Sequence, residues 1–409
     1  ASILIGIVAG FVMATILGEV RFEKIAAAGW FALPMPFQYG IDFVWGAVIL
    51  MLFMSIVTTI ETIGDISATT MGGDNREATD KAIKNAHHVT TLELVNNRLV
   101  PNAMEPRCSI ADYNPANDDY TLYTTSQNPH LTRLLISAFV LGIPENKLTV
   151  VSPDVGGGFG SKIYHYGEEA LVLAAAKRIK RPVRWTATRS ESFMSDAHGR
   201  DHVTKIELAL DKDNNFLAFR TETMANVGAY LSNFSTVTPT ILHGTLMAGN
   251  YAVPNVYVNV KTVFTNTAPV DAYRGAGRPE ATYTIERLVE KAAMELGIDK
   301  TEIRMKNFPT QFPFKQTLVH TVDSGDYVAG LEKAKQMADY AGFEARRKKS
   351  EANGKLRGIG VSSYFEACGI APSAAVMSLG CGVGLWESAE VRFNPTGQIS
   401  VFTGAHSHG

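Results

Sequence analysis

The stretch Asp154-Val-Gly-Gly-Gly-Phe-Gly-Ser-Lys162 places four glycines around one phenylalanine. An apolar run at residues 147–152 predicts a short strand before it, and residues 167–178 predict a helix after it. Glycines let backbone N–H groups approach a ligand closely, and a helix N-terminus beyond them would favour an anion. A Walker A loop is excluded, because Lys162 follows Ser161 rather than a glycine. This glycine loop (residues 154–162) predicts either a cofactor or anion site or a tight structural turn.

A second glycine-rich stretch reads Tyr273-Arg-Gly-Ala-Gly-Arg-Pro-Glu280 and leads into a helix predicted to end near residue 296. We call it the arginine loop (residues 273–280). Arg274 and Arg278 are suited to gripping a phosphate or a carboxylate with two parallel hydrogen bonds. A structural salt bridge from these arginines to Glu280 or Asp271 is an equally good interpretation of the residues alone.

The soluble part of the chain mixes strands and helices without strict β-α-β alternation, which predicts an α+β architecture. Further helices are predicted over residues 299–307 and 327–340. The predicted strands are residues 182–188, 202–210, 216–225, 256–264, 355–365, 383–393 and 398–402.

Histidines and a third glycine run carry weaker signals. The glycine run at residues 380–384 is interpreted as a turn or bulge. His406 and His408 resemble a metal pair, but no third ligand is near them in the sequence. His87 and His88 are predicted to be surface residues of a helix. From the residues alone, the chain is an α+β protein with a glycine loop for an anion or cofactor.

Composition limits the classes of function. The 409 residues carry a formal net charge of −2 and no basic stripe, which argues against nucleic-acid binding. The three cysteines, Cys108, Cys368 and Cys381, form no CxxC pair, so iron–sulfur ligation by this chain alone is not expected and a reducing compartment is favoured.

The first 73 residues differ in composition from the rest. Residues 2–18 and 43–60 lack charged side chains, and each run approaches the ~20 residues that a membrane-spanning helix needs. We predict a hydrophobic, membrane-type helical domain over residues 1–73 and a second domain over residues 74–409. A pair of buried core helices is the alternative for the first domain.

Three ordered motifs resemble one known family. Ser126-Gln127-Asn128, residues 156–162 and residues 272–280 are similar to the molybdenum-binding large subunit of the molybdenum hydroxylases. This family includes xanthine dehydrogenases, aldehyde oxidases and aerobic carbon monoxide dehydrogenases. The resemblance covers residues from about 76 to 409 and implies the family's molybdenum-cofactor-binding fold, in the cytoplasm.

The resemblance implies roles for particular residues. Gln127 would hydrogen-bond an oxo ligand of molybdenum, and Phe159 would lie against the metal. Arg274 would adjoin the cofactor through its loop backbone. The remaining implied cofactor contacts are Gly157, Gly158, Gly160 and Gly275. The implied cofactor is molybdenum-molybdopterin in its cytosine dinucleotide form.

The resemblance also implies the reaction and its partners. The family hydroxylates a carbon with water as the oxygen source, and [2Fe–2S] clusters and FAD on other subunits carry the electrons away. Carbon monoxide enzymes place a cysteine where this chain has Gly275, and xanthine dehydrogenases place a glutamate where it has Ile163. An aldehyde or an N-heterocycle is therefore the expected substrate. The family's general-base glutamate lies in a later segment that this sequence lacks, so we expect the chain alone to be inactive and to hold cofactor weakly if at all.

Residues 1–73 resemble the xanthine/uracil (nucleobase–cation) permeases. The match rests on residues 34–40 (PMPFQYG) and 57–65 (VTTIETIGD). It implies that Glu61 hydrogen-bonds a nucleobase and that Asp65 supports it. Two alternatives follow for the whole chain: a membrane-tethered, non-catalytic cofactor-binding module, or a permease fragment. A join between neighbouring purine-catabolism genes, or an assembly error, would explain the two resemblances in one chain.

Overall fold

The computed structural model describes residues 76–364, 366–367 and 389–409. The predicted membrane-type domain, with Glu61 and Asp65, lies outside the described residues, as does the glycine run at 380–384. Within the described ranges, no helix combines the length and the apolar character needed to cross a bilayer.

Two four-stranded sheets organise the described chain. The helices are α1 (Arg76–Lys84), α2 (Pro129–Leu135), α3 (Gly167–Ile179), α4 (Arg189–Ser195), α5 (Arg278–Leu296), α6 (Lys300–Asn307), α7 (Tyr327–Met337) and α8 (Phe343–Ala352). The strands are β1 (His88–Asn96), β2 (Cys108–Asn114), β3 (Asp119–Thr124), β4 (Leu148–Val151), β5 (Val183–Thr186), β6 (His202–Leu210), β7 (Phe216–Gly228), β8 (Asn255–Phe264), β9 (Phe314–Lys315), β10 (Thr321–Val322), β11 (Ala389–Phe393) and β12 (Ile399–Thr403). The α+β prediction is confirmed for these residues.

The first sheet has the order β1-β6-β7-β8, in which only β7 and β8 run parallel. Its buried face packs against α5. The sequence explains this packing, because the apolar residues of α5 recur at helical spacing and all are buried: Ile285, Leu288, Val289, Ala292 and Ala293. Gly297, at a φ of +64°, ends the helix in the left-handed conformation that glycine adopts most easily.

The second sheet has the order β4-β3-β2-β5, in which β3 and β4 run parallel. Helix α3 covers it with Val172, Leu173 and Ala176, which pack against a small core that includes Leu122 and Leu148. The two parallel strands place their carboxyl ends at one edge of the sheet. The glycine loop and the Ser126–Gln127–Asn128 motif both leave from that edge.

Two predictions about local structure are wrong. His88 is the first residue of β1 rather than part of a helix, and its ring lies 3.0 Å from a carboxylate oxygen of Glu295. Residues 355–364, predicted as a strand, form no sheet.

Side chains of α5 and α6 explain why residues 355–364 do not join a sheet. Lys300 donates to the Ile359 carbonyl and Arg304 to the Val361 carbonyl, at 3.2 and 3.0 Å. These contacts take acceptors that a neighbouring strand would otherwise pair with.

Candidate functional site

The site begins where β3 and β4 end side by side. Tyr120 to Tyr123 pair in parallel register with Leu148 to Val151, so the residues that follow the two strands emerge together. The Ser152 hydroxyl donates to the Ser126 carbonyl at 2.6 Å, and the backbone N–H of Gln127 donates to the Lys162 carbonyl at 2.8 Å. These bonds bring the Gln127 segment against the glycine loop.

The glycine loop folds tightly around the Gln127 side chain. The Gly160 amide donates to Gln127 Oε1 at 2.9 Å. A Cβ on Gly158 would stand 2.3 Å from the same oxygen, so only glycine leaves that oxygen its place. Phe159 has a φ of +54°, an unusual value for an aromatic residue, and its side chain is 39% exposed. The loop therefore presents Phe159 outward and fixes the Gln127 amide beside it.

The arginine loop completes the cluster from the side of α5. The Arg274 amide donates to the Phe159 carbonyl at 2.9 Å, and the Arg274 guanidinium carbon lies 6.0 Å from the Phe159 ring centroid. A Cβ on Gly160 would stand 2.2 Å from the Ala272 carbonyl oxygen, which shows how closely the two loops approach. Gln127, Phe159 and Arg274, widely separated in sequence, are thus brought together.

Several hydrogen-bond donors of this cluster have no acceptor among the described residues. Among described residues, no acceptor receives a hydrogen bond from the amide of Gly158 or Phe159. The Arg274 side chain is exposed and makes no ion pair with any described residue. Backbone N–H groups and a guanidinium without a protein anion suit a negatively charged ligand.

Lys162 is not part of this exposed face. Its Nζ lies 2.8 Å from Glu105 Oε2, and its side chain is 1% exposed. Burial lowers the pKa of Lys162, and the Glu105 carboxylate opposes that change. Glu105 Oε2 also accepts from the Gly156 amide at 2.8 Å, so one carboxylate fastens both ends of the loop. Sequence reasoning missed Glu105, which has only an ordinary surface pattern around it.

Helix α3 begins at Gly167, as predicted, several residues after the glycine loop, and Glu168 and Glu169 occupy its first turn. Acidic side chains there take up the positive end of the helix dipole. Anion binding would therefore depend on the loop amides and Arg274.

Arg274 and Arg278 do not form the salt bridges to Glu280 or Asp271 that the sequence left open as an alternative. Arg278 lies 2.8 Å from Glu366 Oε1, while buried Glu280 is held by Arg200 at 2.8 Å. Asp271 accepts from the Ser232 hydroxyl and the Phe234 amide, and burial raises the pKa of this carboxyl group.

The two histidines near residue 409 lie against the glycine loop. His406 Nε2 is 2.9 Å from the Ser126 carbonyl, and the His408 carbonyl accepts from the Gly157 amide at 2.7 Å. Their rings are 4.7 Å apart. Across the described ranges no three metal-ligating side chains come together, so this pair forms no recognisable metal centre.

A cavity of about 270 Å³ is lined by residues 164–167, 195, 197, 230–233 and 269. Its wall is aromatic and polar, with Tyr164, His165, Tyr166, Tyr230 and Asn233 among the lining residues. The Tyr164 hydroxyl donates to the Ala272 carbonyl at 2.9 Å, which links the cavity wall to the segment that touches Gly160.

Comparison with protein families gives three matches. The Molybdopterin cofactor-binding domain family matches residues 61–308, and a second Molybdopterin cofactor-binding domain family matches residues 333–409. The Permease family matches residues 1–93. The described end of that last match lies in β1, which pairs with β6 of the first sheet.

Individual relatives agree with the first of these matches. The carbon monoxide dehydrogenase large chain of Hydrogenophaga pseudoflava is 36% identical over 83% of this chain and 43% of its own length. The nicotine 6-hydroxylase large subunit of Paenarthrobacter nicotinovorans is 29% identical over 81% of this chain and 40% of its own. The solved quinoline 2-oxidoreductase of Pseudomonas putida 86 superposes with a TM-score of 0.76 at 32% identity, covering 80% of this chain and 42% of that one. The chain thus spans about two fifths of the length of these relatives.

Proposed function

The chain belongs to the molybdopterin cofactor-binding family of the xanthine dehydrogenase and carbon monoxide dehydrogenase large subunits, and on that premise we propose that Gln127, Phe159 and Arg274 hold a molybdenum-molybdopterin cofactor. The observation that carries the proposal is the convergence of three separate segments on one exposed face with unused donors.

The residues present fit such a group. The free amides of Gly158 and Phe159 and the Arg274 guanidinium are donors for an anionic pterin phosphate or a metal oxo group. Gln127 Oε1 is already occupied by the Gly160 amide, so the NH₂ of Gln127 is the part of the side chain that can donate to a ligand. The absence of a Cβ at Gly158 and Gly160 lets the Gln127 side chain and the Ala272 carbonyl pack directly against the loop backbone.

When bound, the cofactor supplies a redox-active metal at which a substrate carbon is hydroxylated with oxygen from water. The residues of this chain bind and orient it. Arg274, held by the Phe159 carbonyl, sets one wall of the space in which a substrate would meet the cofactor. We propose the cytosine dinucleotide form of the cofactor, with [2Fe–2S] and FAD carried by partner subunits in the cytoplasm.

An N-heterocycle or an aldehyde is the proposed substrate class, rather than carbon monoxide or xanthine. Gly275 carries no thiol, and the apolar Ile163 cannot hydrogen-bond a purine. Two of the relatives described above are named for nicotine and quinoline, which are N-heterocycles. The tyrosine-lined cavity beside Tyr164 has the aromatic wall that a flat aromatic compound would need.

Metal and pterin content test the proposal. The full chain, produced in bacteria supplied with molybdate, is expected to copurify with a small, measurable fraction of bound molybdenum and pterin. Arg274→Gln is expected to weaken retention about tenfold, as loss of a charge-assisted contact would. The control is Arg347→Gln, an exposed helix arginine paired with Glu344 and Glu351. No molybdenum in the wild-type chain, or equal content in both variants, would contradict the proposal.

Inactivity of the isolated chain stays a separate prediction. Dye-linked oxidation of aldehydes or N-heterocycles by the purified chain measures it directly, and robust turnover would contradict it.

A second proposal concerns residues 1–73, because the Permease family match covers them. We propose nucleobase binding that depends on Glu61, with Asp65 in support and with membrane association through this segment. The tests are binding of uracil or xanthine to the wild-type chain and Glu61→Gln, and fractionation of the chain with membranes. Unchanged binding in Glu61→Gln would remove the proposal.

A further inference from the structure

We infer that Arg200 is a positioning residue that joins the two cofactor-facing loops. The arginine loop keeps Arg274 against Phe159 only while the Arg200 guanidinium holds that loop from behind. The inference rests on the proposed function for its consequence, cofactor retention, but the coupling itself is a property of the chain.

The contacts of Arg200 are unusually concentrated on one loop. Its Nη2 donates to the Arg274 carbonyl at 2.8 Å, and its Nη1 donates to the Tyr273 carbonyl at 3.2 Å and to Glu280 Oε1 at 2.8 Å. Its guanidinium carbon lies 4.7 Å from the Tyr273 ring centroid. The planar, five-donor head of arginine can meet these groups together, whereas the ammonium of lysine cannot span them with the same geometry.

The pair of Arg200 and Glu280 is buried, with side chains 8% and 1% exposed. Glu280 Oε2 has no hydrogen-bond partner among described residues, so Arg200 is the main compensation for this buried carboxylate. Glu280 stands at the last position of the arginine loop, in the first turn of α5. Arg200 therefore donates hydrogen bonds to both ends of the arginine loop, to the Tyr273 and Arg274 carbonyls at one end and to Glu280 at the other.

Backbone strain at Arg200 indicates that its position is enforced. Arg200 and Asp201 have φ values of +65° and +69°, a left-handed conformation that costs free energy for residues other than glycine. Neighbouring segments maintain it: the Asp201 amide donates to Asn96, and Gly199 and Leu99 exchange two hydrogen bonds. The strained turn directs the Arg200 side chain at the arginine loop rather than along β6.

Arg274 connects Arg200 to Phe159. Its carbonyl is held by Arg200 and its amide by the Phe159 carbonyl, so one residue connects the buried arginine to the glycine loop. Within the part of the chain that the structure describes, Arg200 makes no hydrogen bond to the glycine loop itself. A change at Arg200 would reach Phe159 by moving Arg274.

Hydrogen–deuterium exchange of the full chain tests the coupling without any need for cofactor. Arg200→Lys keeps a positive charge for Glu280. It loses the planar guanidinium that donates to the Tyr273 and Arg274 carbonyls at the same time. We expect the Arg274 amide, which is bound to Phe159, to exchange about tenfold faster in this variant. Molybdenum content should fall in parallel if the proposed function holds. Unchanged exchange at residue 274 would overturn the inference, whatever the metal content.

A matched control separates positioning from general destabilisation. Arg304 is also a buried arginine, and it holds the carboxylates of Glu286 and Glu290 and the backbone carbonyls of Lys300 and Val361. Arg304→Lys should leave exchange at residue 274 unchanged even if it lowers the melting temperature. An equal rise in both variants would overturn the inference.

Two more variants complete the test. Glu280→Gln keeps the carbonyl contacts of Arg200 and should preserve protection of the Arg274 amide. A rise as large as in Arg200→Lys would show that charge pairing, not the grip on the carbonyls, is responsible, and would overturn the inference. If Arg200→Lys does not fold, the double variant Arg200→Gln, Glu280→Gln, which removes both buried charges together, provides the same measurement.

Discussion

Replacing Gly158 with alanine would disturb the site through one contact. The added Cβ would stand 2.3 Å from Gln127 Oε1, 2.4 Å from its Cδ and 2.6 Å from its Cγ. The φ of Gly158 is outside the left-handed region, so the backbone itself tolerates an alanine. The clash falls on the end of a flexible side chain, and the Gln127 amide would have to retreat by about 1 Å to reach ordinary contact.

The cost follows from the bond that this movement breaks. Gln127 Oε1 accepts from the Gly160 amide at 2.9 Å, and Gly160 is buried. An unsatisfied buried amide costs about 1–3 kcal/mol. For a chain of this size we expect the melting temperature to fall by roughly 1–4 °C. Because Gln127 also leaves its place at the exposed face, cofactor binding should weaken about tenfold, equivalent to about 1.4 kcal/mol.

Thermal unfolding and molybdenum content measure the two effects separately. Gly167→Ala is the matched control: Gly167 is the first residue of α3, and an added Cβ meets no atom within 4 Å. That variant should be neutral or slightly more stable, because alanine favours the helix. A Gly158→Ala protein with wild-type melting temperature and full molybdenum content would refute the argument.

Three further predictions address other parts of the molecule. Glu105→Gln should destabilise the fold by about 2 kcal/mol in denaturant unfolding, because it leaves the buried Lys162 ammonium without its carboxylate, and Lys162→Met in the same chain should recover part of the loss. Burial lowers the pKa of His243 to about 4, below its usual value near 6.5, so its contribution to stability is complete above about pH 6.5 and is lost as the pH falls toward 4. The free energy of unfolding should drop by roughly 2 kcal/mol between pH 7 and pH 5, less so in His243→Gln. Gly275→Cys should lower the melting temperature, because φ is +96° there and a Cβ would stand 2.3 Å from Pro279 Cγ.

The Glu105→Gln and Gly275→Cys predictions each have a matched control variant. Glu145→Gln removes an exposed carboxylate paired with Arg133 and should cost well under 1 kcal/mol, so an equal loss in Glu105→Gln would contradict the buried-pair argument. Gly297→Ala introduces left-handed strain, at a φ of +64°, without any clash. A Gly275→Cys variant no less stable than Gly297→Ala would show that contact with Pro279 is unimportant. A pH dependence that is identical in wild type and His243→Gln would remove the histidine argument.

Periodicity predicted most of the described elements. Strand β6 was predicted at its observed bounds, and the apolar spacing in α5 identified its buried face. Both signals are local, since strand alternation and helical spacing are set by neighbouring residues. Residues 355–364 show the limit of such signals. Their apolar pattern suits a strand, but α5 and α6 supply side-chain partners for their backbone, and the sequence does not reveal that neighbourhood.

The sequence by itself singled out the glycine loop and the arginine loop, because glycine-rich loops with a flanking Phe159 or Arg274 have a distinctive local composition, and their cofactor role stays a prediction. Only the tertiary structure decided which charges are available to a ligand. Lys162 is bound by Glu105, 57 residues away, and Glu280 by Arg200, 80 residues away, whereas Arg274 remains unpaired among the described residues. The physical reason is that ion pairing depends on distance in space, and the folded sheets and loops set those distances.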